Sequence, residues 1–179
     1  MRKLVLALLA GLFLCTNADR PMAAGKVSDV STHVTRDDVM ATLKALPANS
    51  GTEQIMRMVD VGKLDVGVAI MRRQPGRQNA VIHDSLTEVY YILSGSGTLV
   101  TGRDVEDPKP MDPQGRVVKE LAGPSSSGPA IRNGHSQRFV AGDTIIIPAG
   151  VGHWYSSLDS TVDYLVVRID PDRKIPIKE

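Results

Sequence analysis

From Gln54 to Ile169 the sequence is a run of short segments rich in Val, Ile and Tyr, each closed by Gly, Pro, Asn or Asp. QIMRMVDV (54–61), DVGVAIMR (65–72), EVYYILS (88–94), GTLVTG (97–102), QRFVAG (137–142), DTIIIPA (143–149), HWYSSL (153–158) and TVDYLVVRI (161–169) all have strand length, and no helical period separates them. Branched and aromatic side chains suit the pleated backbone, and turn residues at this spacing join neighbouring strands. A doubly wound α/β fold would need helices between the strands. The pattern predicts an all-β sandwich or barrel.

One short helix precedes it. In STHVTRDDVMATLKALPAN (31–49), Thr35 is a candidate N-cap, Asp37 and Asp38 fall in the first turn, Val39, Leu43 and Leu46 share a face, and Pro47 stops the period. The stretch DPKPMDPQGRVVKELAGPSSSGPAIRNG (107–134) is dense in Pro, Gly and Ser and reads mainly as a long excursion rather than core.

The first 18 residues, MRKLVLALLAGLFLCTNA, place Arg2 and Lys3 before an uncharged run, Leu4 to Cys15, and end on small residues. This is the pattern of a secretory signal peptide cut after Ala18, which predicts a periplasmic or secreted protein. The apolar run is too short to cross a bilayer, which takes about 20 residues, and nothing later is long enough either, so no membrane partner is expected after cleavage. A lipid anchor at Cys15 is disfavoured by Leu14, which stands where such sites want a small residue. The organisation expected is a signal peptide (1–18), an N-terminal extension with the helix (19–53) and a β domain (54–179).

Cleavage removes the only cysteine, so no disulfide framework supports the fold and a packed core must. Loss of Arg2 and Lys3 leaves 19 basic residues against 20 acidic. There is no basic block and no stripe of interleaved aromatics, which excludes nucleic acid as an expected partner.

Two spacings carry chemistry. GDTIIIPAGVGHWYSS (142–157) sets Gly142, Pro148, Gly150 and His153 at the positions of the second cupin motif, G(X)5PXG(X)2H(X)3N, with Ser157 in place of the final Asn. HDSLTEVYYILSGSG (83–97) sets His83, Glu88 and Gly95 at the later positions of the first motif, G(X)5HXH(X)3-4E(X)6G. Val81 stands where that motif has its first histidine, and Gly76 lies one residue from its leading glycine. The chain therefore resembles the cupin superfamily, and the resemblance implies a small jelly-roll β-barrel.

Carried over residue by residue, the resemblance implies that His83, Glu88 and His153 are metal ligands. Two imidazoles and a carboxylate suit Fe(II) and also hold Zn, Mn or Ni. Strand alternation puts Glu88, Tyr90 and Ile92 on one face, and His153 and Tyr155 on one face with Trp154 opposite. Tyr90 is the candidate general acid or base. Tyr155 and Arg168 are candidates for holding the substrate, Arg168 through a carboxylate. His33 and His135 read as solvated.

With the export signal of residues 1–18, the resemblance leads to the expectation of a secreted metal-binding enzyme acting on a small organic molecule. Lyase, isomerase and dioxygenase chemistries all use this scaffold. The alternative is a non-catalytic module that binds a sugar or other small ligand. The 107–134 excursion is a candidate either for covering the barrel mouth or for bearing a dimer contact, and family members are commonly dimers, which leaves a homodimer open.

Overall fold

A computed structural model describes residue 27, residues 29–48 and residues 51–179. The expected signal peptide lies outside the described residues. Helix α1 (Arg36–Ala45) forms where the sequence predicts it, and Thr35 and Asp38 close a reciprocal capping box at its start. Among the described residues no helix is long and apolar enough to cross a membrane.

The remainder is the expected β architecture: β1 (Thr52–Asp60), β2 (Asp65–Arg73), β3 (Ala80–His83), β4 (Thr87–Ser94), β5 (Ser96–Gly102), β6 (Lys109–Pro110), β7 (Ser125–Gly128), β8 (His135–Val140), β9 (Thr144–Ile147), β10 (Gly152–Leu158) and β11 (Val162–Asp170). They pair antiparallel into two sheets, ordered β1-β2-β11-β4-β9 and β6-β7-β3-β10-β5-β8. This is a jelly roll with one small helix.

Alternation along the strands builds the core. On β11, Val162, Tyr164 and Val166 are fully buried and the residues between them are not. With Ile55, Met58, Ala69 and Met71 from the same sheet and Leu99, Phe139 and Tyr155 from the other, they form one apolar cluster between the sheets. Each large side chain so buried contributes roughly 1.5–3 kcal/mol. The outer face of the first sheet is covered where Val39 and Leu43 of α1 pack on Met56 and Ile70.

Gly95 turns the β4–β5 hairpin with φ +83°, and a Cβ there would lie 2.3 Å from the Thr161 carbonyl oxygen, so only glycine fits.

The 107–134 stretch departs from its expected role. It supplies β6, β7 and a π-helical turn at Val117–Ala122, β7 pairs with β3 along its whole length, and Leu121, Ala122 and Ile131 are buried. Its Ser, Pro and Gly content conceals a sheet edge and part of the core. The physical reason is that β7, Ser-Ser-Ser-Gly, is held by backbone pairing to β3 and needs no β-favouring side chain.

Candidate functional site

Three strands bring the expected ligands together. His83 ends β3, Glu88 lies near the start of β4, and His153 is the second residue of β10. The Gly150 N–H donates to the His83 carbonyl at 2.9 Å, which ties the turn before β10 to the end of β3. All three side chains are buried, and their donor atoms lie within 4.8 Å of one another. Glu88 Oε2 is 3.6 Å from His83 Nε2 and 3.8 Å from His153 Nε2. Metal bonds of about 2.0–2.2 Å set neighbouring donors roughly 3.0–3.5 Å apart, so Glu88 already stands near the spacing a shared cation needs from each imidazole, and the two imidazoles would draw together on it.

The protein also fixes which nitrogen of His83 is available. Ser125 Oγ donates to the Gly123 carbonyl at 2.9 Å and lies 2.8 Å from His83 Nδ1. The hydroxyl has one proton and has spent it on the carbonyl, so it accepts from Nδ1–H. His83 Nε2 is left with a lone pair facing Glu88, the arrangement a metal-ligating histidine needs. Ser125 has no counterpart in the two sequence motifs.

Burial keeps both imidazoles neutral at pH 7. It depresses His153 to about 4 against the opposing pull of Glu88, and it depresses His83 against the same pull. Glu88 goes the other way from an isolated buried acid. Burial pushes it up, but His83, the Arg168 guanidinium, His153 and the Tyr90 hydroxyl outweigh burial and hold it below the usual carboxylate range. The site therefore presents two neutral imidazoles and one carboxylate at neutral pH.

Tyr90 stands among them. Its hydroxyl donates to Glu88 Oε2 at 2.7 Å and lies 3.2 Å from His153 Nε2. Burial, and then the neighbouring Glu88 charge, push the phenol well above its ordinary range, so it keeps its proton. The chemical role this leaves to Tyr90 at neutral pH is that of acid and hydrogen-bond donor.

The ligand side chains and Tyr90 line a cavity of about 290 Å³. The structure brings Arg168 to the same wall with its Nε and Nη1 already engaged. Nε donates to Glu88 Oε1 at 2.9 Å, and Nη1 donates to the Leu121 carbonyl at 2.6 Å and to Glu53 Oε1. What Arg168 holds in this structure is Glu88 and Glu53, because three acceptors surround its guanidinium before any ligand arrives. Tyr155 does not reach the cavity wall. Its ring packs between Phe139 and Tyr164 in the core. His135 and His33 are exposed, as expected.

Sequence reasoning missed Glu53 and Arg73 on the wall. Parity along the strands was the available signal. Arg73 continues the inward positions of Ala69 and Met71 on β2, and Glu53 faces Met71 across the β1–β2 pair.

A family model described as Cupin matches residues 60–179. No curated protein matches the sequence. Among solved structures, the chain is similar to BH2720 from Bacillus halodurans, with 13% identity over 86% of this chain and 92% of the other and a TM-score of 0.48. It is similar to the DMSP lyase DddQ from Ruegeria pomeroyi DSS-3, with 13% identity over 74% and 54% of the two chains and a TM-score of 0.45. It is also similar to a formate complex of oxalate decarboxylase from Lactobacillus farciminis, with 21% identity over 78% and 33% and a TM-score of 0.43. The chain thus spans about half of the lyase and a third of the decarboxylase.

Proposed function

The chain belongs to the cupin family, and on that premise we propose that it is an exported metal-dependent enzyme acting on a small organic molecule inside the barrel. The observation that carries this reading is the convergence of His83 Nε2, Glu88 Oε2 and His153 Nε2 in the cavity wall, with the His83 tautomer set by Ser125. Two imidazoles and one carboxylate fit Fe, Zn, Mn or Ni. A bound divalent cation supplies Lewis acidity there, or oxygen activation if it is iron.

The protein's own groups do the rest. Arg168 and Tyr90 each take one oxygen of Glu88 and so orient the carboxylate. The phenol of Tyr90 carries the proton that a reacting group can receive, 2.7 Å from Glu88. The apolar side chains of Met71, Val81 and Leu121 line the cavity and limit water in it.

The test is metal analysis of the mature chain purified without a histidine tag. Near-stoichiometric iron, zinc, manganese or nickel supports the enzyme, and none after reconstitution with each metal overturns it. One observation favours a second reading, a non-catalytic small-molecule binder: Arg168 already neutralises Glu88, so the carboxylate does not depend on a cation. Export rests on residues 1–18 and predicts that mass spectrometry of the periplasmic or secreted protein finds Asp19 at or near the N-terminus. A product that retains Met1 overturns it.

A further inference from the structure

The first sheet carries several partly or fully buried arginines, and most have a carboxylate. Arg72 pairs with Asp163, Arg168 with Glu53 and Glu88, and Arg173 beside the sheet with Asp60 and Asp65. Arg57, whose Nη1 donates to the Met56 carbonyl at 2.8 Å, does not line the cavity, and the cavity arginine without a carboxylate is Arg73. No carboxylate among the described residues lies within 4.0 Å of its guanidinium. Its Nε donates to the Tyr164 hydroxyl at 3.2 Å and its Nη1 reaches Gln78 Oε1 at 3.5 Å, both neutral acceptors. The guanidinium lies 5.4 Å from the centre of the Tyr155 ring, which orients it without neutralising it. Nη2 donates to no atom among the described residues, and Arg73 lines the same cavity as His83, Glu88 and His153.

A charge partly withdrawn from water without a counterion is costly, and proteins ordinarily pair it. A guanidinium is not neutralised at any accessible pH. The ionic groups around the cavity are the carboxylates of Glu53 and Glu88 and the guanidiniums of Arg73, Arg116 and Arg168, which leaves one positive charge in excess. Arg116 is largely exposed and has Glu120 beside it, so the excess resides on Arg73. A divalent cation on the histidines and Glu88 would raise the excess to three. The lining of the cavity is therefore complementary in charge to an anion.

We propose that Arg73 is the substrate-anchoring residue and that the substrate is a small carboxylate, its carboxylate on the free edge of Arg73 and its other end toward His83, Glu88 and His153. A guanidinium edge and a carboxylate match in planar, bidentate geometry. Volume limits the rest of the molecule. At roughly 30 Å³ per water, the 290 Å³ cavity holds about ten waters, room enough for an acid of a few carbons. Where Arg168 was expected to hold a carboxylate from the substrate, it holds two from the protein, and Arg73 takes the external one.

The inference rests on the cavity being the active site, and the experiment separates the two. Acetate, propionate and malonate are titrated by calorimetry into the metal-loaded and the metal-stripped full chain, in buffer free of other carboxylates, with acetamide and propionamide as neutral matches. Wild type is expected to bind at least one acid, and at least tenfold more tightly than its amide, in both forms. Arg73→Met should cut that affinity at least tenfold with metal content unchanged, and Arg73→Lys should keep part of it. Amides that bind as well as acids overturn the inference, and so does acid affinity indifferent to Arg73→Met. If Arg73→Met does not fold, Arg73→Lys and the acid-against-amide comparison in wild type decide it. A chain that takes up no metal but still shows Arg73-dependent acid binding overturns the enzyme and leaves the carboxylate site standing. A chain that keeps its metal and shows no Arg73-dependent binding does the reverse.

Discussion

Glu88 and Arg168 face each other directly across the β4–β11 pair, and Arg168 Nε donates to Glu88 Oε1 at 2.9 Å. Both side chains are almost wholly buried, as is Glu53, which shares the same guanidinium. Removing the arginine leaves two buried carboxylates without the cation that bonds both. Breaking a buried pair from one side typically costs about 3–5 kcal/mol. Arg168→Leu is therefore expected to lower stability by that amount in urea unfolding. Glu88→Gln, which leaves Arg168 its bond to Glu53, should cost less. An Arg168→Leu protein within about 1 kcal/mol of wild type would show that the pair is not part of the folded interior.

How much of this was legible follows from where the partners come from. The inward parity of Glu88, Tyr90 and Ile92 was legible because it depends only on alternation within one strand, and all three are buried. The two motifs placed His83 and His153 because their spacing is local to each turn. Arg168 was visible as a residue, and its parity with Val162, Tyr164 and Val166 pointed inward. Its partners were not visible, because Glu53 and Glu88 lie 115 and 80 residues away in sequence. Ser125 was hidden for a different reason. It lies on a strand of three serines and a glycine, whose composition speaks for a loop and whose conformation is imposed by β3.

Ser125 gives the second prediction. Its hydroxyl accepts the His83 Nδ1 proton at 2.8 Å and touches no ligand atom otherwise. Ser125→Ala keeps all three donors and releases the imidazole tautomer. Losses of partners behind a metal-ligating histidine typically cost 10–100-fold in metal affinity. Competition with a calibrated chelator should show a drop in that range, with the wild-type fold by circular dichroism. Unchanged affinity would mean that His83 is not a ligand.

Acid should destabilise the metal-free protein, and the sign follows from the histidines. His153 is depressed by burial to about 4 from an ordinary 6.5, and His83 is depressed for the same reason. As the pH falls from about 6.5 toward 4, the unfolded chain takes up protons that the folded chain resists, so folding stability falls. At about 1.4 kcal/mol per unit, His153 alone accounts for roughly 3 kcal/mol across that window. Below about 4.5, Glu88 acts in the same direction, since its carboxyl is held below its ordinary value when folded. Urea midpoints between pH 8 and pH 4 should decline steadily, and His153→Gln should flatten the decline. A profile that is level down to pH 4 in the wild type contradicts the buried neutral imidazoles.

The last prediction concerns the position where the first motif is incomplete. Val81 is paired directly with His153 across β3 and β10, it lines the cavity, and His83 follows it by one two-residue strand period. Directly opposed residues place their Cβ atoms about 4.5–5.5 Å apart on the same face of the sheet. A histidine at position 81 would therefore add a fourth donor beside the existing three. Val81→His is expected to slow metal loss to a chelator, at an overpacking cost of about 1–3 kcal/mol in the metal-free protein. His83→Ala and His153→Ala, each removing one of three donors, should lose most of the metal, while His135→Ala, on the exposed edge strand β8, should keep it. The combination is the sharper measurement. Val81→His placed in the His83→Ala background restores the donor count from a different side chain, so metal content should recover in part. If His83→Ala and His153→Ala fold and retain full metal, or if Val81→His in that background recovers none, the cation is not held by this set of strands.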